Sequence, residues 1–144
     1  MYLGNKRSIL LLFCCFTFLV FKAQTLYWVG GSGNFNDQNH WSLTSGGPAS
    51  NVIPSANNDV IFDDNSSANY VNPVVTFVGV NFCKSLKFTN NFVKYTVTGT
   101  KFTEINIGGD LELSHNTNFA TNSKLKFNSN SGQYQNVGFN HISY

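Results

Sequence analysis

The chain has 144 residues, a formal net charge of +2, and 11% charged residues against 42% hydrophobic and 15% aromatic ones. That length fits one ordinary domain and hardly two. Globular chains usually carry about a quarter charged residues. Here 21 Asn and 12 Gly take that place, which excludes a nucleic-acid binder, a coiled coil and a charged disordered tail.

The N-terminus is built for export. Asn5-Lys6-Arg7 makes a short positive start, the apolar run Ile9 to Phe21 follows, and Lys22-Ala23-Gln24 closes it. This pattern predicts a secretory signal peptide over residues 1–24, cut near Ala23 or Gln24. A membrane span needs about 20 apolar residues, so the run is too short for one, and the mature chain is expected outside the cell or on its outer surface. Phe13 before Cys14 and Cys15 argues against a lipid anchor there. Without residues 1–24, six Lys (Lys84, Lys87, Lys94, Lys101, Lys124, Lys126) face seven acids, and no Arg remains. Phosphate-backbone binding needs clustered Lys and Arg, so no nucleic-acid partner is expected. Cys83 is then alone, so no internal disulfide is available, and it reads as a small core residue.

From residue 25 onward no apolar set keeps a helical spacing. Short β-branched and aromatic runs follow one another instead: Val60 to Phe62, Val74 to Val80, Ser85 to Phe88, Val93 to Val97, Phe102 to Ile107, Leu111 to Leu113, Lys124 to Phe127 and Gln135 to Phe139. Many alternate with period two, the mark of half-buried strands. The chain is therefore predicted to be all-β, with Val60, Phe62, Val75, Phe77, Leu86, Phe88, Tyr95, Val97, Ile105, Ile107, Leu111, Leu113, Leu125 and Phe127 pointing inward. Short strands spaced by 8–12 residues suit a β-sandwich. Lys84 to Asn90 and Lys124 to Asn130, near copies about 40 residues apart, favour a right-handed parallel β-helix with two coils of about 20 residues between them. Asn-rich turns suit it too, since Asn tolerates left-handed backbone. The β-helix is the preferred reading and the sandwich the alternative, with segment 25–58 as an N-terminal cap and 59–144 as coils.

The cap segment runs Tyr27-Trp28-Val29-Gly30-Gly31-Ser32-Gly33-Asn34-Phe35, then His40-Trp41-Ser42, Gly46-Gly47-Pro48 and Asp59-Val60-Ile61-Phe62-Asp63. It resembles the opening of secreted repeat proteins of Bacteroidetes, whose mature chains often begin Tyr-Trp-Val-Gly-Gly-Ser-Gly-Asn-Trp and reach His-Trp-Ser a few residues later. Phe35 replaces the usual Trp. The match extends to Asp63 and, more loosely through Cys83-Lys84-Ser85-Leu86, to the end. The resemblance implies β-helical coils, an adhesin-like role, and export through the type IX secretion system with a C-terminal sorting domain. It also implies that this chain is the front of a longer protein.

Physically, Trp28, Phe35 and Trp41 suit a lid over the first coil, which has no preceding neighbour. The rival role for Trp28 and Trp41 is stacking on sugar rings. Gly30-Gly31-Ser32-Gly33 lacks the following Lys and helix of a phosphate loop. Asp59, Asp63 and Asp64 form a candidate calcium patch, since hard cations take oxygen ligands, although the spacing matches neither an EF-hand loop nor a glycine-rich calcium repeat. His40, His115 and His141 are too scattered for zinc, and no cofactor is expected. Asp110 and Glu112 share a face if Leu111 and Leu113 point inward, which would give a polysaccharide-degrading enzyme its carboxylate pair; Gly108-Gly109 before them reads more simply as a solvated turn. The expected function is a non-catalytic, adhesin-like surface protein, with a surface polysaccharide or another cell-surface protein as partner. The alternatives are a carbohydrate-binding module and a polysaccharide-degrading enzyme. Apolar residues still alternate at Val137 to Tyr144, so residues 25–144 alone are expected to self-associate end to end.

Overall fold

The computed structural model describes residues 23–65, 67–128 and the backbone of 137–139. The signal-peptide run, Ser66, and the alternation expected in 140–144 lie outside the described residues. Among the described residues the protein is all-β, and its one helical element is the 3-10 turn Gln38–His40. No helix there is long and apolar enough to cross a membrane.

In chain order the strands are β1 (Thr25–Trp28), β2 (Gly33–Asn34), β3 (Trp41–Ser42), β4 (Asp59–Phe62), β5 (Val74–Phe77), β6 (Val80–Cys83), β7 (Ser85–Phe88), β8 (Tyr95–Gly99), β9 (Glu104–Ile107), β10 (Leu111–Leu113), β11 (Thr117–Phe119), β12 (Lys124–Phe127) and β13 (Val137–Phe139). They form three sheets. Sheet A has the order β13-β10-β7-β4-β1-β3, sheet B β11-β8-β5-β2, and sheet C β12-β9-β6. Apart from β3, each strand from β1 to β10 pairs with the one three places on. All these pairings are parallel. Parallel strands need a long crossover between them, and from β4 onward the crossover is made by one strand from each of the other two sheets. Among the described residues the antiparallel pairing expected of a sandwich occurs once, between β1 and β3.

Register sets the packing. Val60 lies beside Leu86 and Leu86 beside Leu111 in sheet A; Val75 lies beside Val97 in sheet B, and Cys83 beside Ile107 in sheet C. Every one of these side chains is buried. Like residues at successive levels therefore form rows across the strands, and each fully buried large aliphatic or aromatic side chain contributes about 1.5–3 kcal/mol of transfer free energy. Rings add to this: Phe62 stacks on Phe88 at 4.3 Å between centroids, and Phe35 on Phe77 at 4.4 Å.

Three sequence expectations are corrected. The near copies around Leu86 and Leu125 are not equivalent positions, because β7 belongs to sheet A and β12 to sheet C. The observed step is 25 residues from Leu86 to Leu111 and 20 from Ile105 to Leu125. Local likeness encodes an in–out pattern, and that pattern serves any wall of the structure. Of the predicted inward residues, Leu125 is only half-buried and Phe127 is 39% exposed, since β12 has β9 on one side and no described strand on the other. The run Val74 to Val80 is also not one strand. Gly79, at φ +67°, turns the chain between β5 and β6. After that turn Asn81 and Cys83 face inward, while Val80 and Phe82 are 52% and 46% exposed.

Candidate functional sites

The segment 25–58 is continuous with the sheets. β1 and β2 extend sheets A and B by one strand each, and β3 closes the end of sheet A. Trp28 and Trp41 sit side by side in the β1–β3 register, and both are 0% exposed. Trp28 stacks on the His40 ring at 4.4 Å and 2°, meets Trp41 edge-on at 5.2 Å and touches Phe62 at 5.4 Å. Both indoles are also satisfied: Trp28 Nε1–H donates to Gly31 O at 3.1 Å, and Trp41 Nε1–H to Phe35 O at 2.8 Å. Sugar stacking needs an exposed ring face, and neither Trp offers one. The glycan-stacking assignment for Trp28 and Trp41 is therefore corrected.

The opener's glycines have separate causes. Gly30 has φ +87°, in the left-handed region. A Cβ on Gly31 would lie 2.6 Å from the Tyr70 ring, and one on Gly33 would lie 2.1 Å from His40 Nε2. His40 is held in place because its Nδ1–H donates to Val29 O at 2.8 Å. The spacing from Gly33 to His40 thus records one contact: an imidazole laid across bare backbone, with its face on Trp28.

The candidate calcium patch is not assembled. Asp59 opens β4 and pairs with Lys84 at 3.0 Å, whereas Asp63 lies past the other end of that strand. Asp64 accepts the N–H groups of Asn91, Phe92 and Val93 at 2.8, 2.8 and 2.9 Å. Burial raises the pKa of its carboxyl, but these three bonds outweigh that effect and hold it below the ordinary value. Both oxygens are thereby turned to fastening the β7–β8 corner onto the β4–β5 corner. Among the described residues no cluster of three or more His, Cys, Asp or Glu is arranged to hold a metal ion.

Asp110 and Glu112 do lie near one another, about Lys87. Lys87 is the register partner of Glu112 and reaches Asp110 at 3.8 Å. The pair stands on the outer surface and lines neither groove described below. Cys83 is 1% exposed, and burial, helped by the charge of Asp59, pushes its thiol up to about 12. It cannot ionise readily, so it serves as packing.

Two shallow grooves flank sheet C. One, of about 430 Å³, is lined by Val78, Thr98, Thr100 and Phe102 among others. The other, of about 590 Å³, lies beside Phe82, Lys84, Asn106 and Asn128. With Val80 they leave an exposed apolar surface: Val78 is 53% and Phe102 is 80% exposed. Sequence reading missed it, because the alternation of Val80-Asn81-Phe82-Cys83 favours Val80 and Phe82 as the inward pair, and the structure turns Asn81 and Cys83 inward instead. The turn at Gly79 and the burial of Cys83 decide which phase faces in. No family model, no curated protein and no solved structure matches the chain.

Proposed function

We propose that the described strands form a right-handed parallel β-helix, or solenoid, in a secreted or cell-surface, non-catalytic interaction protein. The observation that carries this reading is the pairing rule: strand after strand lies parallel beside the third strand on, with buried rows running from level to level. Such an array contacts only its neighbours, extends by repetition, and offers a long surface rather than a pocket. The buried Trp28, Phe35 and Trp41, with the short antiparallel strand β3, support the role of an N-terminal cap. An adhesin-like protein of the Bacteroidetes type, exported by the type IX system, is the identity we infer from the opener. Its partner would be a surface polysaccharide or another cell-surface protein, and residues 25–144 alone would associate end to end.

Labelled residues 25–144 should adhere to bacterial or host cell surfaces and release no reducing ends from polysaccharides. Periodate treatment of the surface abolishes adhesion to glycan, and protease treatment abolishes adhesion to protein. Reducing-end release lost in Asp110→Asn or Glu112→Gln would replace this reading with an enzyme. A reporter fused to residues 1–24 should be exported and cut near Ala23 or Gln24; retention in the cytoplasm would refute the surface location.

A further inference from the structure

The last described strand of sheet C, β12, pairs with β9 and with no other described strand. Its inward side chains lack the cover enjoyed one level earlier: Ile105 and Ile107 are 1% and 0% exposed, against 39% for Phe127. Lys124 N–H donates to Thr103 O, and Asn128 N–H to Ile107 O. Backbone groups alternate sides along a strand, so the N–H and C=O groups of Leu125 and Phe127 point away from β9, along an edge.

That edge is positively charged on its outer face. Lys124 and Lys126 stand there together, and both lean on Glu104 of β9, at 3.9 and 2.6 Å. Two ammonium groups share one carboxylate. A second copy laid antiparallel, β12 against β12, would set these lysines opposite their own counterparts, and like charges directly opposite are destabilising. The edge thus discriminates among strands by charge.

We propose that β12 accepts, in parallel pairing, an extended polypeptide strand in which apolar residues alternate with Asp or Glu. Its apolar side chains would cover Leu125 and Phe127, and its carboxylates would face outward beside Lys124 and Lys126, as Glu104 does on the other side. This is strand addition, with main-chain bonds for affinity and alternate side chains for selection. It rests on the solenoid reading above, and the strand that β12 takes up is supplied by a partner chain.

The test measures amide hydrogen exchange of residues 25–144 with two peptides, Thr-Glu-Ile-Glu-Ile-Gly and Thr-Lys-Ile-Lys-Ile-Gly. The acidic peptide should slow exchange at Leu125 and Phe127 and bind about tenfold more tightly than the basic one, from two cross-strand charge pairs. The double variant Lys124→Glu with Lys126→Glu should reverse the preference, and Lys124→Gln with Lys126→Gln should erase it. Equal protection by both peptides, or protection by neither, overturns the proposal. The free protein separates this from failure of the solenoid reading. Slow exchange in β7 to β9 without peptide discrimination sinks the edge alone, whereas fast exchange throughout β7 to β9 sinks the stacked levels themselves.

Discussion

Replacing Phe62 by Ala tests the packing at its most connected point. The ring is 0% exposed. It stacks on Phe88 at 4.3 Å and Trp28 at 5.4 Å, and meets Trp41 at 5.7 Å and Tyr95 at 5.5 Å edge-on. A buried Phe→Ala change costs about 3–5 kcal/mol through lost transfer energy and the cavity left behind. Four ring contacts place Phe62 near the top of that range, since each aromatic pair adds about 0.5–1.5 kcal/mol beyond area. A domain of this size is stable by about 5–15 kcal/mol, so Phe62→Ala should sit close to unfolding, and Phe62→Leu should be the milder companion. Phe127→Ala is the control. The same change at a ring that is 39% exposed, with one described neighbouring strand, should cost less than about 2 kcal/mol. Urea unfolding followed by Trp emission reports both, because Trp28 and Trp41 both touch Phe62. Equal costs at the two positions, or a cost below about 1 kcal/mol at Phe62, would refute the argument that levels bury one another and that β12 is an edge.

Other outcomes follow from the sites. Gly33→Ala would place Cβ 2.1 Å from His40 Nε2; relieving that overlap should cost about 1–3 kcal/mol and shift Trp28 emission, and an unchanged melting temperature would disprove the His40 contact. Asp64 has a folded-state pKa below its unfolded value, so its contribution is fully present above about pH 4. It should be lost as pH falls through the lowered value, and Asp64→Asn should flatten that part of the pH–stability curve; an unaltered curve counts against the three-bond clip. The buried Cys83 thiol, pushed up to about 12, should resist thiol reagents at pH 8 in the folded protein and react on unfolding. Rapid reaction in the folded state would mean that the inner row of sheet C is open.

Much of this protein was legible from its residues because period-two alternation is a local property. Leu86/Phe88, Tyr95/Val97 and Ile105/Ile107 face inward as their spacing requires, and the absence of helical spacing agrees with the all-β structure. The tertiary structure decided which wall each strand joins. Corner lengths set that choice: Lys84 alone separates β6 from β7, whereas Gly108 to Asp110 separate β9 from β10. The copies around Leu86 and Leu125 carry the same in–out code and still land in different sheets. Tertiary packing also decided the fate of the opener. Trp28 and Trp41 could have served as a lid or as sugar platforms by composition alone. His40, Phe35 and Phe62 close over their faces, and that burial depends on residues up to 34 positions away from Trp28. The exposed Val80 and Phe82 and the charged edge at Lys124 and Lys126 were equally hidden. A side chain's exposure depends on whether another strand lies beside it, and the parallel pairing partners described lie 20 or more residues apart.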